Sequence, residues 1–197
     1  MKEGKRVLQT ITVLSLLVAV LGITVGFAAM SRTLTINGSA TVEPANWSVH
    51  FTNLRPVALT NDATETSTPT LSEVDTHMGN YAVSLTKPGD KAVYYVDVVN
   101  DGDIDAALTS VTIATPTITG TSTTNKAADE TIVQNNLLYS VTYSDGSAIT
   151  VGDELAAETG TATLKITIEY DPTATAIPSD DVNITGMDVT LIYGQKD

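Results

Sequence analysis

The chain has 197 residues, no cysteine and a formal net charge of −13 at pH 7. That length allows one domain behind a leader, and the absence of cysteine excludes a disulfide framework and thiolate chemistry. Past residue 31 the acidic balance is steeper, because seven basic side chains stand against 22 acidic ones. Such a surface repels phosphate backbones, so nucleic acid is excluded as a partner.

The N-terminal segment has the composition of an export signal. Lys2, Lys5 and Arg6 form a basic start, and residues 7–30 behind them carry no charge and end with small side chains. A basic region, an apolar region and small residues, in that order, are typical of a secretory signal. The segment therefore predicts one N-terminal hydrophobic helix that carries the rest of the chain out of the cytoplasm.

Two fates of this leader fit its sequence. Cleavage after Ala28 or after Ser31 satisfies the preference for small residues at the cutting site. Retention as a membrane anchor is the alternative, because residues 7–30 in a helix extend about 36 Å and would cross a hydrocarbon core. In both cases residues 1–31 are the signal peptide or anchor. Residues 32–197 then form a single extracytoplasmic domain, extracellular or at the cell surface.

Nine short segments of the exported part alternate apolar and polar residues, and turns rich in Gly, Pro, Asn and Asp separate them. The predicted strands are Arg32–Val42, Asn46–Asn53, Tyr81–Leu85, Val93–Val99, Leu108–Ala114, Leu137–Tyr143, Ala148–Val151, Thr161–Tyr170 and Val182–Tyr193. Residues 55–79 are predicted as a loop or a ragged sheet edge, Thr115–Lys126 and Asp171–Asp180 as loops, and Ala127–Asn136 as one short helix. We expect Gly186 to break or bulge the last strand.

Many short strands, without a helix long enough for a parallel crossover, predict an all-β fold. We expect an antiparallel β-sandwich of Ig-like or jelly-roll type, preceded by the N-terminal hydrophobic helix. Trp47, Val49 and Phe51 alternate along one strand and are predicted to point into its core.

The most recognisable stretch is Tyr81–Leu108, with the sequence YAVSLTKPGDKAVYYVDVVNDGDIDAAL. It contains an aliphatic strand, a Lys-Pro-Gly-Asp turn, an alternating strand and an Asn-Asp-Gly turn. This stretch resembles the TasA/camelysin-type exported envelope and biofilm-matrix proteins, and more generally Ig-like surface repeats. The resemblance implies a jelly-roll or Ig-like sandwich on a microbial surface.

The same resemblance implies assembly into matrix fibres, in which the N-terminal segment of one subunit completes a sheet of the next. Arg32–Val42 suits that part, since an alternating strand at the start of the exported chain can add to the edge of another sheet. The alternative is that Arg32–Val42 pairs within its own domain.

Catalytic motifs are missing from the sequence. The two histidines, His50 and His77, do not form the His-Glu-x-x-His pattern of a zinc protease, and no Gly-x-Ser-x-Gly elbow or phosphate-binding glycine loop occurs. His50 lies on the opposite face of its strand from Val49 and is predicted to face solvent. The sequence therefore predicts a protein that is not an enzyme, and a secreted hydrolase is the least favoured alternative.

The best candidate for a metal site is the run Asp101-Gly102-Asp103-Ile104-Asp105. Carboxylates two residues apart, as at Asp101, Asp103 and Asp105, resemble the start of a calcium-binding loop. The sixth position is Ala106 and the twelfth is Thr112, where such a loop has Gly and Glu. The alternative is an acidic turn without a ligand. Calcium is thus the one cofactor that the sequence suggests.

Together these features predict an exported structural or adhesive protein of the cell surface or extracellular matrix, and a fibre subunit is one form of it. The alternative is a calcium- or carbohydrate-binding surface module. The expected partners are other copies of the chain or other envelope proteins, together with the membrane if residues 7–30 are retained.

Overall fold

The computed structural model describes residues 2–30, 38–41, 43–72, 76–79 and 81–196. The chain divides into two compact units, Met1–Glu43 and Pro44–Asp197.

The first unit contains one helix, α1 (Lys2–Met30), which confirms the predicted N-terminal hydrophobic helix. Its side chains at residues 4–21 are exposed, and the window Gly4–Leu21 is long and apolar enough to cross a membrane. A signal sequence near the N-terminus has the same properties, so the helix is compatible with either fate. Of the predicted strand Arg32–Val42, residues 38–41 are exposed and outside any strand, and the rest lies outside the described residues.

The second unit consists mostly of short strands, with one helix, α2 (Lys126–Asn136). The strands before α2 are β1 (Val49–Thr52), β2 (Ala58–Thr60), β3 (Thr64–Ser67), β4 (Thr70–Leu71), β5 (Met78–Gly79), β6 (Ala82–Ser84), β7 (Lys91–Asn100), β8 (Ala106–Ile113) and β9 (Thr117–Gly120). Those after α2 are β10 (Leu137–Tyr143), β11 (Glu154–Leu155), β12 (Gly160–Tyr170), β13 (Val182–Thr185) and β14 (Val189–Gln195).

All the strand pairings in this unit's described part are antiparallel. A five-stranded sheet has the order β1-β7-β12-β10, and β2 pairs with the other end of the β7 edge that β1 occupies. A three-stranded sheet has the order β11-β8-β14. Three two-stranded sheets, β13-β9, β3-β6 and β4-β5, complete the unit.

One hydrophobic core joins the two larger sheets. Tyr94, Val96 and Ile168 of the five-stranded sheet are buried together with Leu108 and Leu155 of the three-stranded sheet. The buried residues of β7 (Ala92, Tyr94, Val96 and Val98) and of β12 (Leu164, Ile166 and Ile168) recur at a spacing of two, which places them on one face of the five-stranded sheet. Both sheets therefore contribute to one hydrophobic cluster.

Most of the predicted strands are confirmed, with ends that shift by a few residues. The helix predicted over Ala127–Asn136 is present as α2, and Gly186 separates β13 from β14 with a φ of +71°. Residues 55–79 contain β2 to β5, so of the two alternatives for this stretch the ragged edge is closer than the loop. Thr115–Lys126, predicted as a loop, contains β9, which pairs with β13. These strands have only two to four residues each, too few for the alternation that identifies a half-buried strand.

Two other predictions were wrong. Trp47 does not belong to the buried core, because 43% of its surface is exposed and β1 begins only at Val49. Ala148–Val151 is not a strand, and the short strand of that region is β11. The backbone N–H groups of Gly152 and Leu108 bond the Leu108 and Asp153 carbonyls, so the chain beside Ala148–Val151 already runs against β8.

Candidate functional site

Two adjoining cavities lie between β14 and the five-stranded sheet. The larger has a volume of about 350 Å³ and extends to Met187, and the smaller has about 160 Å³ and extends to Trp47. Phe51, Thr76 and Leu191 line both and therefore mark the boundary between them. We call the two cavities together the groove. The other large hydrophobic side chains on its walls are Val49, Met78, Tyr81, Val96, Val98, Val141, Leu164, Ile166, Val189 and Tyr193.

The backbone of β14 has a free edge beside the groove. Among the described residues β14 pairs with β8 alone. The Ala114 N–H donates to the Asp188 carbonyl over 2.8 Å. In an antiparallel pair every second residue bonds the neighbouring strand, so every second residue counted from Asp188 directs its backbone groups to β8. The N–H and C=O groups of Val189 and Leu191 consequently point to the other side. These groups are the donors and acceptors that an added strand would pair with.

Two tyrosines fix the start of β14. The hydroxyls of Tyr81 and Tyr139 both donate to the Met187 carbonyl, the latter over 3.0 Å. Burial raises the pKa of both hydroxyls above the usual value, so both stay protonated and able to donate at neutral pH. Since Tyr139 belongs to β10, these bonds tie the three-stranded sheet to the five-stranded one at the larger cavity.

The acidic turn after β7 is organised by Asn100, a buried side chain. Its Nδ2 donates to the carbonyls of Ile104 and Leu155 over 2.8 and 3.1 Å, and its Oδ1 accepts the Gly102 N–H. A Cβ on Gly102 would lie 2.6 Å from the Ser48 nitrogen, so the close approach of the two segments requires glycine. The predicted turn is therefore a rigid junction.

The three aspartates of this turn have different hydrogen-bond partners. Asp103 Oδ2 accepts the Asn46 N–H over 2.9 Å, and Asp105 Oδ1 accepts the Ala157 N–H over 2.8 Å. Asp101 instead lies beside His50. In the part of the chain that the structure describes, no group of three or more His, Cys, Asp or Glu side chains is placed to hold a metal ion. Calcium binding at this turn stays a prediction.

A serine, a histidine and an aspartate meet at the rim of the smaller cavity. His50 Nδ1 is 3.4 Å from Ser48 Oγ and 3.7 Å from Asp101 Oδ1, and hydrogen bonding to Ser48 holds the pKa of Asp101 below its usual value. A nucleophilic relay needs the serine at one ring nitrogen and the carboxylate at the other. Here both contact Nδ1, so the three side chains form a polar contact and not a relay.

The histidines lie on the same groove. His50, predicted to face solvent, is half-buried at the smaller cavity, and His77 lines the larger one from the turn before β5. Glu73 and Asp75, which the sequence places close to His77, lie outside the described residues.

One feature of the site and one of the sheet beside it escaped sequence reasoning. The groove depends on which faces two distant strands leave uncovered, and alternation within one strand carries no such information. The buried carboxylate of Asp97 was also missed, although a charged residue inside an aliphatic strand is a detectable signal. No protein-family model, curated protein or solved structure matches this chain.

Proposed function

We propose that this chain is an exported structural or adhesive surface protein that self-associates by adding a strand to the free edge of β14. The observation that carries the proposal is the groove, an apolar space beside backbone groups of β14 that pair with no other strand in the described part of the chain. A strand placed there would satisfy those groups and fill the space at once.

The proposed architecture is a β-sandwich of Ig-like or jelly-roll type that lacks one strand. The three-stranded sheet faces a sheet of five strands, so the two faces differ in width. Side chains of the wider sheet, such as Phe51 and Ile166, line the groove beyond β14. One more strand beside β14 would cover them.

Export is supported by α1, and the charge of the chain bears on how exported copies associate. The helix is apolar and near the N-terminus, which is compatible with a signal sequence or an anchor. The net charge of −13 opposes non-specific association between copies. Specific contacts through the largely apolar groove then remain the favourable route to assembly at the cell surface or in the extracellular matrix.

The proposed occupant is the Arg32–Val42 segment of a second copy. Its alternation places Leu34 and Ile36 on one face, and burying each of these side chains contributes about 1.5–3 kcal/mol. Each new edge hydrogen bond adds about 1 kcal/mol, against the entropy of ordering the segment. Assembly should therefore depend strongly on protein concentration.

The test compares two double variants that differ only in the face they change. Leu34→Asp with Ile36→Asp puts charge on the groove side, and Thr33→Asp with Thr35→Asp puts the same charge on the opposite side. We expect the first to remain monomeric and the second to assemble, as followed by light scattering and negative-stain microscopy of the exported protein. Trp47 is the only tryptophan and lies at the groove, so its fluorescence reports occupancy. An unmodified protein that stays monomeric at every concentration and salt would refute the proposal.

A further inference from the structure

The shape of the groove carries information on how the added strand is oriented. The larger cavity lies at the Met187 end of β14 and the smaller at the Tyr193 end, with Leu191 at their boundary. An occupant that pairs with β14 must therefore present large side chains at one end and a small one at the other, and the sequence of the occupant decides which end is which.

The groove-facing side of the proposed occupant has a matching order of sizes. Leu34 and Ile36 are followed at the same spacing by Gly38 and Ala40. Successive positions on one face of a strand are about 6.6 Å apart in both strands, so the two patterns can be aligned position by position.

Resting on the proposed function, we propose that the Arg32–Val42 segment of a second copy adds parallel to β14, with Ile36 beside Val189 and Gly38 beside Leu191. Leu34 and Ile36 then occupy the larger cavity, and Ala40 lies in the smaller one. Glycine falls at the boundary, where Leu191 already projects.

The antiparallel orientation fits less well for a steric reason. With Asn37 kept beside Thr190, as in the parallel register, antiparallel addition would bring Ile36 to the boundary at Leu191 and Leu34 into the smaller cavity, which has less than half the volume of the larger one. It would also leave the larger cavity to Gly38 and Ala40. Unfilled apolar space costs free energy because its walls lose their contact atoms.

Charge favours the same orientation. Asp188 lies on the wall of the larger cavity, and Lys196 follows the last residue of β14. Parallel addition directs Arg32 toward Asp188, whereas antiparallel addition directs it toward Lys196, whose Nζ already forms an ion pair with Glu154 over 2.7 Å. The parallel orientation therefore brings Arg32 to a carboxylate, and the antiparallel orientation brings it to a lysine whose charge is already compensated.

Single-cysteine variants can measure the orientation because the chain has no cysteine of its own. Ile192 is exposed on the outer face of β14. In the parallel register Ser39 lies beside Ile192, and in the antiparallel register Thr35 does. The wrong partner is about 13 Å away, beyond the reach of a disulfide, whereas adjacent strands lie within it.

The experiment mixes full-length Ile192→Cys protein with Ser39→Cys protein, and separately with Thr35→Cys protein, under mild oxidation. Mass spectrometry of the linked peptides counts the bonds between the two variants. We expect about tenfold more 39–192 than 35–192 linkage, since only adjacent Cα atoms meet disulfide geometry. A preference for 35–192 overturns the parallel orientation while leaving strand addition intact.

Two further outcomes separate this inference from the proposed function. The double variant Ser39→Cys with Ile192→Cys tests filling by the same chain: a linked monomer, with no links between chains in the mixtures, overturns the assignment to a second copy. Protein that neither links nor assembles overturns the proposed function itself, and the inference with it.

Discussion

The centre of the five-stranded sheet and the edge at β14 are built from similar residues and end in opposite states. β7 is hydrogen-bonded along both edges, by β12 on one side and by β1 and β2 on the other, and most of its residues are buried. β14 is paired on one edge only, as far as the described residues go, and is half-exposed along its length. The comparison teaches that a strand-forming sequence does not by itself decide whether the edges of a strand are paired and its faces covered. That depends on which other strands the fold places beside it.

Polar groups show the same contrast. The Asp97 carboxylate, on the outer face of β7, accepts hydrogen bonds from Arg55 Nη2 at 2.9 Å, Asn53 Nδ2 at 2.7 Å and Thr163 Oγ1 at 2.6 Å. The backbone groups of Val189 that face the groove have no strand partner among the described residues. Stability is therefore concentrated at the centre, and the capacity for a new contact lies at the edge.

The largest expected effect comes from truncating a leucine to alanine, once in the hydrophobic core and once in β14. Leu108→Ala empties a fully buried core position and should lower the free energy of unfolding by about 3–4 kcal/mol. Leu191→Ala removes a side chain that already borders open space and should cost about 1 kcal/mol. Urea unfolding followed by circular dichroism measures both. Equal losses would show that the groove is packed like the core, and the comparison would fail.

The next effect is the loss of the buried carboxylate. Asp97→Ala removes the acceptor of Asn53, Arg55 and Thr163 and should cost about 2 kcal/mol, because three hydrogen bonds to a buried carboxylate are lost. Asp101→Ala is the matched control, since its exposed side chain should be replaceable without a measurable shift of the unfolding midpoint. If the control loses as much as Asp97→Ala, burial of the carboxylate is not what stabilises the centre.

Acid should lower the contribution of Asp97 to the stability of the five-stranded sheet over a defined pH interval. Burial raises the pKa of Asp97, but hydrogen bonds from Thr163 and Asn53 and the charge of Arg55 outweigh it and hold that pKa below its usual value. A lowered folded-state pKa gives stability that is complete above the unfolded value of about 3.9 and is lost as pH falls through the folded value. Unfolding midpoints should be level from pH 7 to about pH 5 and fall below about pH 4. Asp97→Asn should make that fall of the unfolding midpoint shallower. A fall that is unchanged in the variant would show that other carboxylates cause it.

The sequence predicted the strands of the five-stranded sheet better than the open edge at β14, for a physical reason. β12 alternates apolar and polar residues, β7 is a run of β-branched and aromatic residues interrupted by Asp97, and the break at Gly186 follows from a positive φ that glycine adopts without strain. Trp47 was misassigned because alternation shows which side chains share a face, but not whether another sheet covers that face. The Asn-Asp-Gly turn was recognised as a turn, whereas the hub formed by Asn100 depends on Leu155, 55 residues away in the chain.

The smallest expected effect concerns the acidic turn, which lies at the end of the well-packed strand β7. Asp103 Oδ2 and Asp105 Oδ1 already accept backbone N–H groups from other segments, so a calcium ion would compete with these bonds and we expect only weak binding. Calcium at a concentration equal to a millimolar dissociation constant would stabilise the fold by only about 0.4 kcal/mol. That corresponds to a rise of about 1 °C in Tm for a chain of this size. Calorimetric titration of the protein and of Asp103→Ala measures binding directly. Heat that persists in the variant would place any calcium site elsewhere, and a rise of several degrees would show that the turn rearranges around the ion.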